Sequence, residues 1–230
     1  DLFILGPSHH VYLEGCALPA PTVRQYETPL GALPLDDATL AELRATGEFE
    51  QMSMRTDERE HSIEMQLPYL RRVLHADARL VPVLVGNLSR AAEQRYGRAL
   101  AHYLTAPDVL FVVSSDFCHW GARFDYTPFD ERAGVALHQF IERMDRDGMQ
   151  LIEQQDLDGW YAYLQRTRNT ICGRHPIGVL LQALHARHAR AAPAPAHALR
   201  FLAYAQSERI TSPRQSSVSY AAAAAVALPP

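Results

Sequence analysis

Three continuous runs of apolar residues constrain the fold of this chain more than any other feature. They cover residues 2–5, 80–85 and 109–113. None of them alternates between apolar and polar residues, so each is expected to be a strand buried on both faces. Segments with helical spacing lie between them, and strands that alternate with helices form mainly parallel sheets. The sequence therefore predicts an α/β protein with three layers, α/β/α, around a mainly parallel central sheet.

The remaining segments divide into helices and two late strands. The predicted helices cover residues 36–49, 61–74, 88–104, 130–144, 158–165 and 176–191, with a break at Pro68. Residues 201–204 and 217–226 are predicted strands, although the five alanines at 221–225 favour a helix. A loop is predicted at residues 191–196. No linker or shift in composition divides the chain, so residues 1–230 are predicted to form a single domain.

The charge balance and the cysteine count narrow the class of protein. The formal net charge of -4 comes from 22 basic and 26 acidic residues without a basic stripe, which argues against nucleic acid as the main partner. Three cysteines do not make a disulfide framework, so a reducing compartment, the cytoplasm, is predicted. The apolar run at residues 220–228 is far shorter than the ~20 residues of a spanning helix, so no membrane insertion is expected.

Three polar clusters lie where the predicted strands end or a helix begins. They are Gly-Pro-Ser-His-His at residues 6–10, Ser-Ser-Asp-Phe-Cys-His at 114–119 and Asn-Thr-Ile-Cys-Gly-Arg-His-Pro-Ile-Gly at 169–178. Together they hold four histidines, two cysteines and one aspartate, which are residue types that bind metals or move protons. Parallel strands end at the same edge of a sheet, where ligands gather in open α/β folds. The clusters are therefore predicted to form one site.

The histidines of the first two clusters each allow more than one interpretation. His9 and His10 are neighbours whose rings should diverge, so only one of them is expected to face the site, and a loop histidine can also be a surface residue. Asp116 and His119 are three residues apart, close enough for the carboxylate to orient the imidazole of a general base or to support a metal ligand. An Asx turn made by Asp116 is equally consistent with this spacing. Cys118 is predicted to be a small buried residue.

Cys172 precedes the last predicted helix, and Arg174 and His175 follow it closely. A helix N-terminus and cationic neighbours favour the thiolate, which is the form that binds metal or attacks electrophiles. A buried, inert thiol is the alternative. His61 and Glu64 share a helix face, where an exposed ion pair is the leading interpretation and a histidine in the wall of the site is the functional one.

Several of these motifs closely resemble the Memo family, named for mediator of receptor-driven cell motility. They are Gly-Pro-Ser-His-His at 6–10, Thr-Asp-Glu at 56–58 with Glu-His-Ser-Ile-Glu-Met at 60–65, Pro-Val-Leu-Val-Gly at 82–86, Val-Ser-Ser-Asp-Phe-Cys-His-Trp-Gly at 113–121, the cluster at 169–178, and Tyr-Ala-Gln-Ser at 204–207 with Ser-Ser-Val-Ser-Tyr at 216–220. The resemblance covers essentially the whole chain in order.

The resemblance implies a fold similar to that of class III extradiol dioxygenases, which are non-haem iron enzymes. It matches His9 and Cys172 to metal ligands, and His119 to the acid/base histidine beside the metal, with Asp116 next to it. His10, His61, Arg174 and His175 are expected to line the same site. The family is linked to a single iron or copper ion, to redox activity, and to cell-motility signalling that includes binding of phosphorylated receptor peptides.

Two departures from this pattern bear on function. Family members begin with a further segment that supplies another ligand histidine, so we expect the chain to lack it and residues 2–5 to lack a partner strand. In the family, a thiolate also replaces the carboxylate of the dioxygenase ligands, which shifts preference toward soft ions such as Cu(I). The resemblance therefore predicts a copper- or iron-binding, redox-linked protein of motility and cytoskeletal signalling in the cytoplasm and the nucleus. The alternatives are a phosphopeptide-binding adaptor and a non-haem oxygenase or oxidase.

Overall fold

The computed structural model describes residues 1–106, 108–130, 132, 134–190 and 197–227. The strands are β1 (Leu2–Pro7), β2 (Cys16–Leu18), β3 (Gln25–Tyr26), β4 (Leu33–Pro34), β5 (Glu50–Gln51), β6 (Leu80–Val85), β7 (Leu110–Val113), β8 (His119–Trp120), β9 (His197–Gln206) and β10 (Ser217–Ala227). The helices are α1 (Asp37–Ala45), α2 (Met54–Arg59), α3 (His61–Glu64), α4 (Leu67–Val73), α5 (Arg90–Leu100), α6 (Leu137–Glu153), α7 (Leu157–Thr167) and α8 (Arg174–Arg190), with 3₁₀ turns at Tyr103–Thr105 and Ala122–Phe124.

These elements belong to two compact units. The first comprises Asp1–Ser115 with Gly173–Ala189, and the second comprises Asp116–Cys172 with the described residues after Ala189. The single domain predicted for residues 1–230 stays a prediction. Among the described residues, no helix is both long enough and apolar enough to cross a membrane.

A five-stranded sheet forms the centre of the first unit. Its order is β5-β2-β6-β1-β7, and every neighbouring pair is parallel except β2 with β6. All six residues of β1 and all six of β6 are buried, as their continuous apolar sequences predict. The predicted α/β class, with a mainly parallel sheet flanked by helices, is confirmed. The expectation that residues 2–5 lack a partner is wrong, because β1 pairs with β6 on one side and β7 on the other.

Local signals explain where the helices of the first unit begin and end. Asp36 caps α1 by accepting a hydrogen bond from Thr39 N–H (3.1 Å). Pro68 lies in the first turn of α4, and the break predicted at Pro68 falls just before it, at residues 65–66 between α3 and α4. Gly97 of α5 lies against Gln182 of α8, where an added Cβ would come within 2.6 Å of the Gln182 Cβ. A side chain at Gly97 would therefore separate these two helices.

The second unit contains an antiparallel sheet of order β8-β10-β9 and the helices α6 and α7. Both late strands are confirmed, and the alanines at 221–225 lie in β10 because pairing with β9 outweighs their helix propensity. α6 begins at Leu137, seven residues later than predicted, and Glu131 and Ala133 lie outside the described residues, as do residues 191–196 of the predicted loop. Trp120, Trp160 and Tyr163 are fully buried in this unit.

Candidate functional site

The loop that follows β1 is held against the start of α3. Ser62 Oγ donates a hydrogen bond to the carbonyl of Pro7 (2.9 Å), and Ser8 N–H donates to the carbonyl of Val85 (2.9 Å). Gly6 permits this close approach, because a Cβ at this position would lie 2.5 Å from Ser62 Oγ. The absence of a side chain at Gly6 therefore brings the His9 loop to α3.

Glu60 precedes α3 as its N-cap residue and binds His9 at two points. His9 N–H donates to Glu60 Oε2 (2.7 Å), and His9 Nδ1 lies 2.8 Å from Glu60 Oε1, which also accepts from Ser62 N–H (3.0 Å). Burial of Glu60 acts to raise its pKa. Hydrogen bonds from the His9 ring and from the N–H groups of His9 and Ser62, with the attraction of His9, outweigh burial and lower the pKa to about 2 from the ordinary 4.5. Glu60 is therefore a carboxylate that only accepts hydrogen bonds at neutral pH.

His61 adds a second imidazole to this pair. Its ring stacks on that of His9 with centroids 4.4 Å apart, and its Nδ1 lies 3.7 Å from Glu60 Oε1. One potential ligand atom from each of His9, Glu60 and His61 lies within 4.8 Å of the other two. Two imidazoles and one carboxylate match the donors with which proteins bind non-haem iron, so the composition of this group fits the implied metal. His10 is exposed and contacts the edge of the His61 ring (5.7 Å).

The sequence interpretation placed His61 in the wall of a site but did not single out Glu60. The structure pairs His61 with Glu60, and it records no ion pair between His61 and Glu64 among the residues it describes. The available signal was a glutamate directly before the first residue of a helix, at the position where a side chain caps the N-terminus.

In the second unit, two carbonyl groups orient the imidazole of His119. Its Nδ1 lies 3.0 Å from the carbonyl oxygens of Phe117 and Thr170, and because carbonyls only accept, Nδ1 must carry the proton. Nε2 is then the nitrogen with a free lone pair, and it faces Asp116 Oδ2 at 3.9 Å. His119 is therefore arranged to accept a proton at Nε2.

Cys172 and Asp116 are neighbours in the same unit. The backbone N–H of Asp116 donates to Cys172 Sγ (3.1 Å), and this sulfur lies 3.7 Å from the Asp116 carbonyl oxygen. Cys172 is partly exposed, whereas Cys16 and Cys118 are buried. Burial raises the pKa of the Cys118 thiol, as expected for the small buried residue predicted from the sequence. The structure therefore places Cys172, Asp116 and His119 together.

A buried aspartate on α6 supports this arrangement. Asp145 Oδ1 accepts hydrogen bonds from Asn169 Nδ2 (2.9 Å) and Cys118 N–H (3.3 Å), and Asp145 Oδ2 accepts from the hydroxyl of Tyr204 (2.8 Å). Asn169 Nδ2 also donates to the hydroxyl oxygen of Tyr163 (2.7 Å). Burial raises the pKa of Asp145, and the hydrogen bonds oppose that shift. Asp145 thus ties the segments that hold His119 and Cys172 to one helix.

Arg174 and His175 open α8 in the first unit. His175 Nδ1 lies 2.6 Å from Oε1 of the buried Glu93, and its Nε2 lies 3.0 Å from Asn87 Oδ1. These contacts tie the start of α8 to α5 and to the segment after β6. They give His175 a structural role that its position in the sequence did not reveal.

The predicted site residues are divided between the two units. His9, His10, His61, Arg174 and His175 lie in the first, and Asp116, His119 and Cys172 lie in the second. The structure brings His9 together with His10 and His61, and Asp116 with His119 and Cys172. The joint role of His9 and Cys172 as ligands stays a prediction.

The fold and the first-unit group define an α/β protein in which a histidine of a strand-end loop and a histidine of the next helix, His9 and His61, lie beside the carboxylate of Glu60. A family model described as Memo-like protein matches residues 1–224. The human protein MEMO1 is 49% identical over 226 residues, which is 97% of this chain and 74% of that protein. Protein MEMO1 of Xenopus laevis is 50% identical over 228 residues, which is 98% of this chain and 75% of that protein. The chain therefore belongs to the Memo family, as the sequence motifs predicted.

A third relative shows how much of such a protein this chain spans. The memo-1 homolog of Caenorhabditis elegans is 48% identical over 221 residues, which is 96% of this chain and 62% of that protein. The chain thus spans less than two thirds of that relative.

Proposed function

We propose that this chain binds a single iron or copper ion at the group formed by His9, Glu60 and His61, with the two imidazoles as ligands and Glu60 as the carboxylate that orients His9. The observation that carries the proposal is the convergence of their ligand atoms to within 4.8 Å. Glu60 accepts from His9 Nδ1, and a carboxylate on this nitrogen orients the imidazole and makes its other nitrogen, Nε2, a better metal ligand. The resemblance to the family adds Cys172 as a thiolate ligand, and a separate variant tests that assignment.

The proposed activity is redox chemistry linked to the metal, as a copper-dependent oxidase or a non-haem iron oxygenase. Iron or copper would supply one-electron steps when bound. The protein itself would contribute proton transfer at His119 Nε2. Nε2 can accept a proton because Nδ1 donates its own proton to the carbonyl groups of Phe117 and Thr170. Asp116 would favour the imidazolium that forms, since its carboxylate lies 3.9 Å away.

A role in cell-motility and cytoskeletal signalling, in the cytoplasm and the nucleus, is proposed from the family resemblance alone. It includes binding of a phosphorylated receptor peptide, for which Arg174 is the proposed anion donor. Fluorescence anisotropy with matched phosphorylated and unphosphorylated peptides tests this part. The Arg174→Gln variant should lose the preference for phosphate, and a preference that persists in this variant would remove Arg174 from the proposal.

Metal titration tests the central claim. Fe(II) and Cu(I) are titrated under reducing conditions into the wild type and into the His9→Ala, Glu60→Gln and His61→Ala variants. The His9 and His61 variants should lose ~10–100-fold in affinity or more, because each removes a ligand. His75→Ala is the control, since His75 is an exposed histidine paired with Asp77 outside this group. Equal affinity in the wild type and both ligand variants would refute the assignment.

A further inference from the structure

A cavity of about 320 Å³ opens in the first unit next to the proposed metal ligands. Its apolar lining includes Met52, Ile63 and Leu67, which are buried, and Met54, which is 48% exposed. Ligand pockets of this size are mostly apolar, with a few polar groups that select the ligand. The apolar wall can therefore hold a hydrocarbon chain or ring.

The ionisable side chains that line this cavity, apart from the hydroxyl of Tyr26, are all acidic. Carboxyl groups line it at Glu27, Asp57, Glu58, Glu60 and Glu64. Among the described residues that line it there is no lysine, arginine or histidine. Carboxylates around a partly apolar cavity focus a negative potential into it, which raises the local concentration of cations and repels anions.

The carboxyl groups differ in their exposure and in the hydrogen bonds that they accept from other residues of the protein. Glu60 is bound by His9, and Asp57 accepts a hydrogen bond from the hydroxyl of Tyr26. Glu58 and Glu64 lie at exposed positions on α2 and α3. The buried Glu60 and the half-buried Asp57 therefore shape the inner wall, whereas Glu58 and Glu64 can meet a charged group at the mouth.

We propose that this cavity binds a small organic cation, a protonated primary amine attached to an apolar chain or ring. The apolar lining would cover the hydrocarbon part, and the ammonium would lie among the carboxylates, with the ring of Tyr26 as a further favourable surface for a cation. A bare metal ion would leave the apolar wall unused, and an organic anion would meet five acids without a basic partner. This site goes beyond the proposed metal function, although Glu60 belongs to both.

Three ligands of nearly equal shape test the proposal. 2-Phenylethylammonium, 2-phenylethanol and 3-phenylpropanoate are titrated into the protein by isothermal titration calorimetry with a chelator present, so that metal binding cannot contribute. The ammonium should bind about tenfold more tightly than the alcohol, the carboxylate should not bind, and the preference should fall as salt is raised. Equal binding of all three ligands, or binding of the ammonium only after metal is added, would overturn the proposal.

Matched variants locate the site. Glu58→Gln with Glu64→Gln should weaken binding of the ammonium by about three- to tenfold and leave the alcohol unchanged, because exposed carboxylates contribute modestly to such pairs. Glu48→Gln removes an exposed carboxylate that pairs with Arg95 and does not line the cavity, so it should change neither ligand. An equal loss of affinity in both variants would show that binding of the ammonium depends on overall charge and not on this cavity. Failure of metal binding in the titrations above would leave these outcomes unaffected.

Discussion

His9 and Glu60 are joined at two points although 51 residues separate them in the sequence. One carboxylate oxygen accepts the backbone N–H of His9, and the other lies within hydrogen-bond distance of its ring Nδ1. Backbone and ring are thus fixed by the same side chain. Because the lowered pKa keeps Glu60 ionised, Nδ1 donates and Nε2 of a neutral ring is the nitrogen able to bind a metal.

Glu60→Gln should lower the free energy of unfolding at pH 7 by roughly 2–3 kcal/mol, because the folded pKa of Glu60 is about 2 and its ordinary value is 4.5. The unfolded state takes up the proton first, so this stabilisation is complete above about pH 4.5 and is lost as the pH falls toward 2. Urea unfolding at several pH values should show the difference from wild type shrinking by roughly 2 kcal/mol at pH 3. A difference that stays constant with pH would contradict this account.

Cys172→Ser should weaken binding of Cu(I) more than binding of Fe(II), because a thiolate is a soft ligand and a hydroxyl is not. Competition titrations measure, for each ion, the ratio of the affinity of the wild type to the affinity of the variant. Cys118→Ser is a poor control, since Cys118 is fully buried. Unchanged affinity for both ions would remove Cys172 from the proposed ligands.

His119→Ala should leave metal affinity unchanged and reduce any metal-dependent oxidation by ~10²–10⁴-fold, because it removes the proton acceptor at Nε2. Asp116→Asn should have a smaller effect, since its carboxylate lies 3.9 Å from Nε2 and the carbonyls of Phe117 and Thr170 orient the ring. Steady-state rates and metal titrations on both variants separate an effect on proton transfer from an effect on metal binding. Undiminished turnover in the His119 variant would exclude it as the acid/base group.

Asn169→Ala should destabilise the protein by about 1–3 kcal/mol, because it leaves the buried carboxylate of Asp145 without one of its donors. Thermal or urea melts measure the change. Gln150→Ala on the exposed face of α6 should stay within about 0.5 kcal/mol of wild type. If the two variants melted alike, Asp145 would not depend on Asn169.

Patterns of apolar residues were sufficient to predict the α/β class and most of the longer elements. The runs that became β1 and β6 had no polar residue on either face, and Pro68 marked the break before α4. The two-residue strands β3, β4, β5 and β8 were missed, because segments so short contain no full period of any pattern.

The site was predictable only in part, for a physical reason. Histidines and cysteines stand out in a sequence because few other residues share their chemistry, so the sequence drew attention to His9, His119 and Cys172, whose roles stay predictions. Glu60 and Asp145 are ordinary acids whose importance comes from burial and from partners distant in sequence. Asp145 did carry one signal, since it lies on the buried face of α6 with Ile141 and Gly148.

Glu60 lies between two helices, as the C-cap residue of α2 and the N-cap residue of α3, and it also binds the ring of His9. Most substitutions at this position would therefore reduce the amount of folded protein in a cell as well as its capacity for metal. A genetic screen that scores only the cellular phenotype could not separate these two losses. Steady-state protein levels would have to be measured beside each phenotype before any variant of Glu60 is attributed to chemistry.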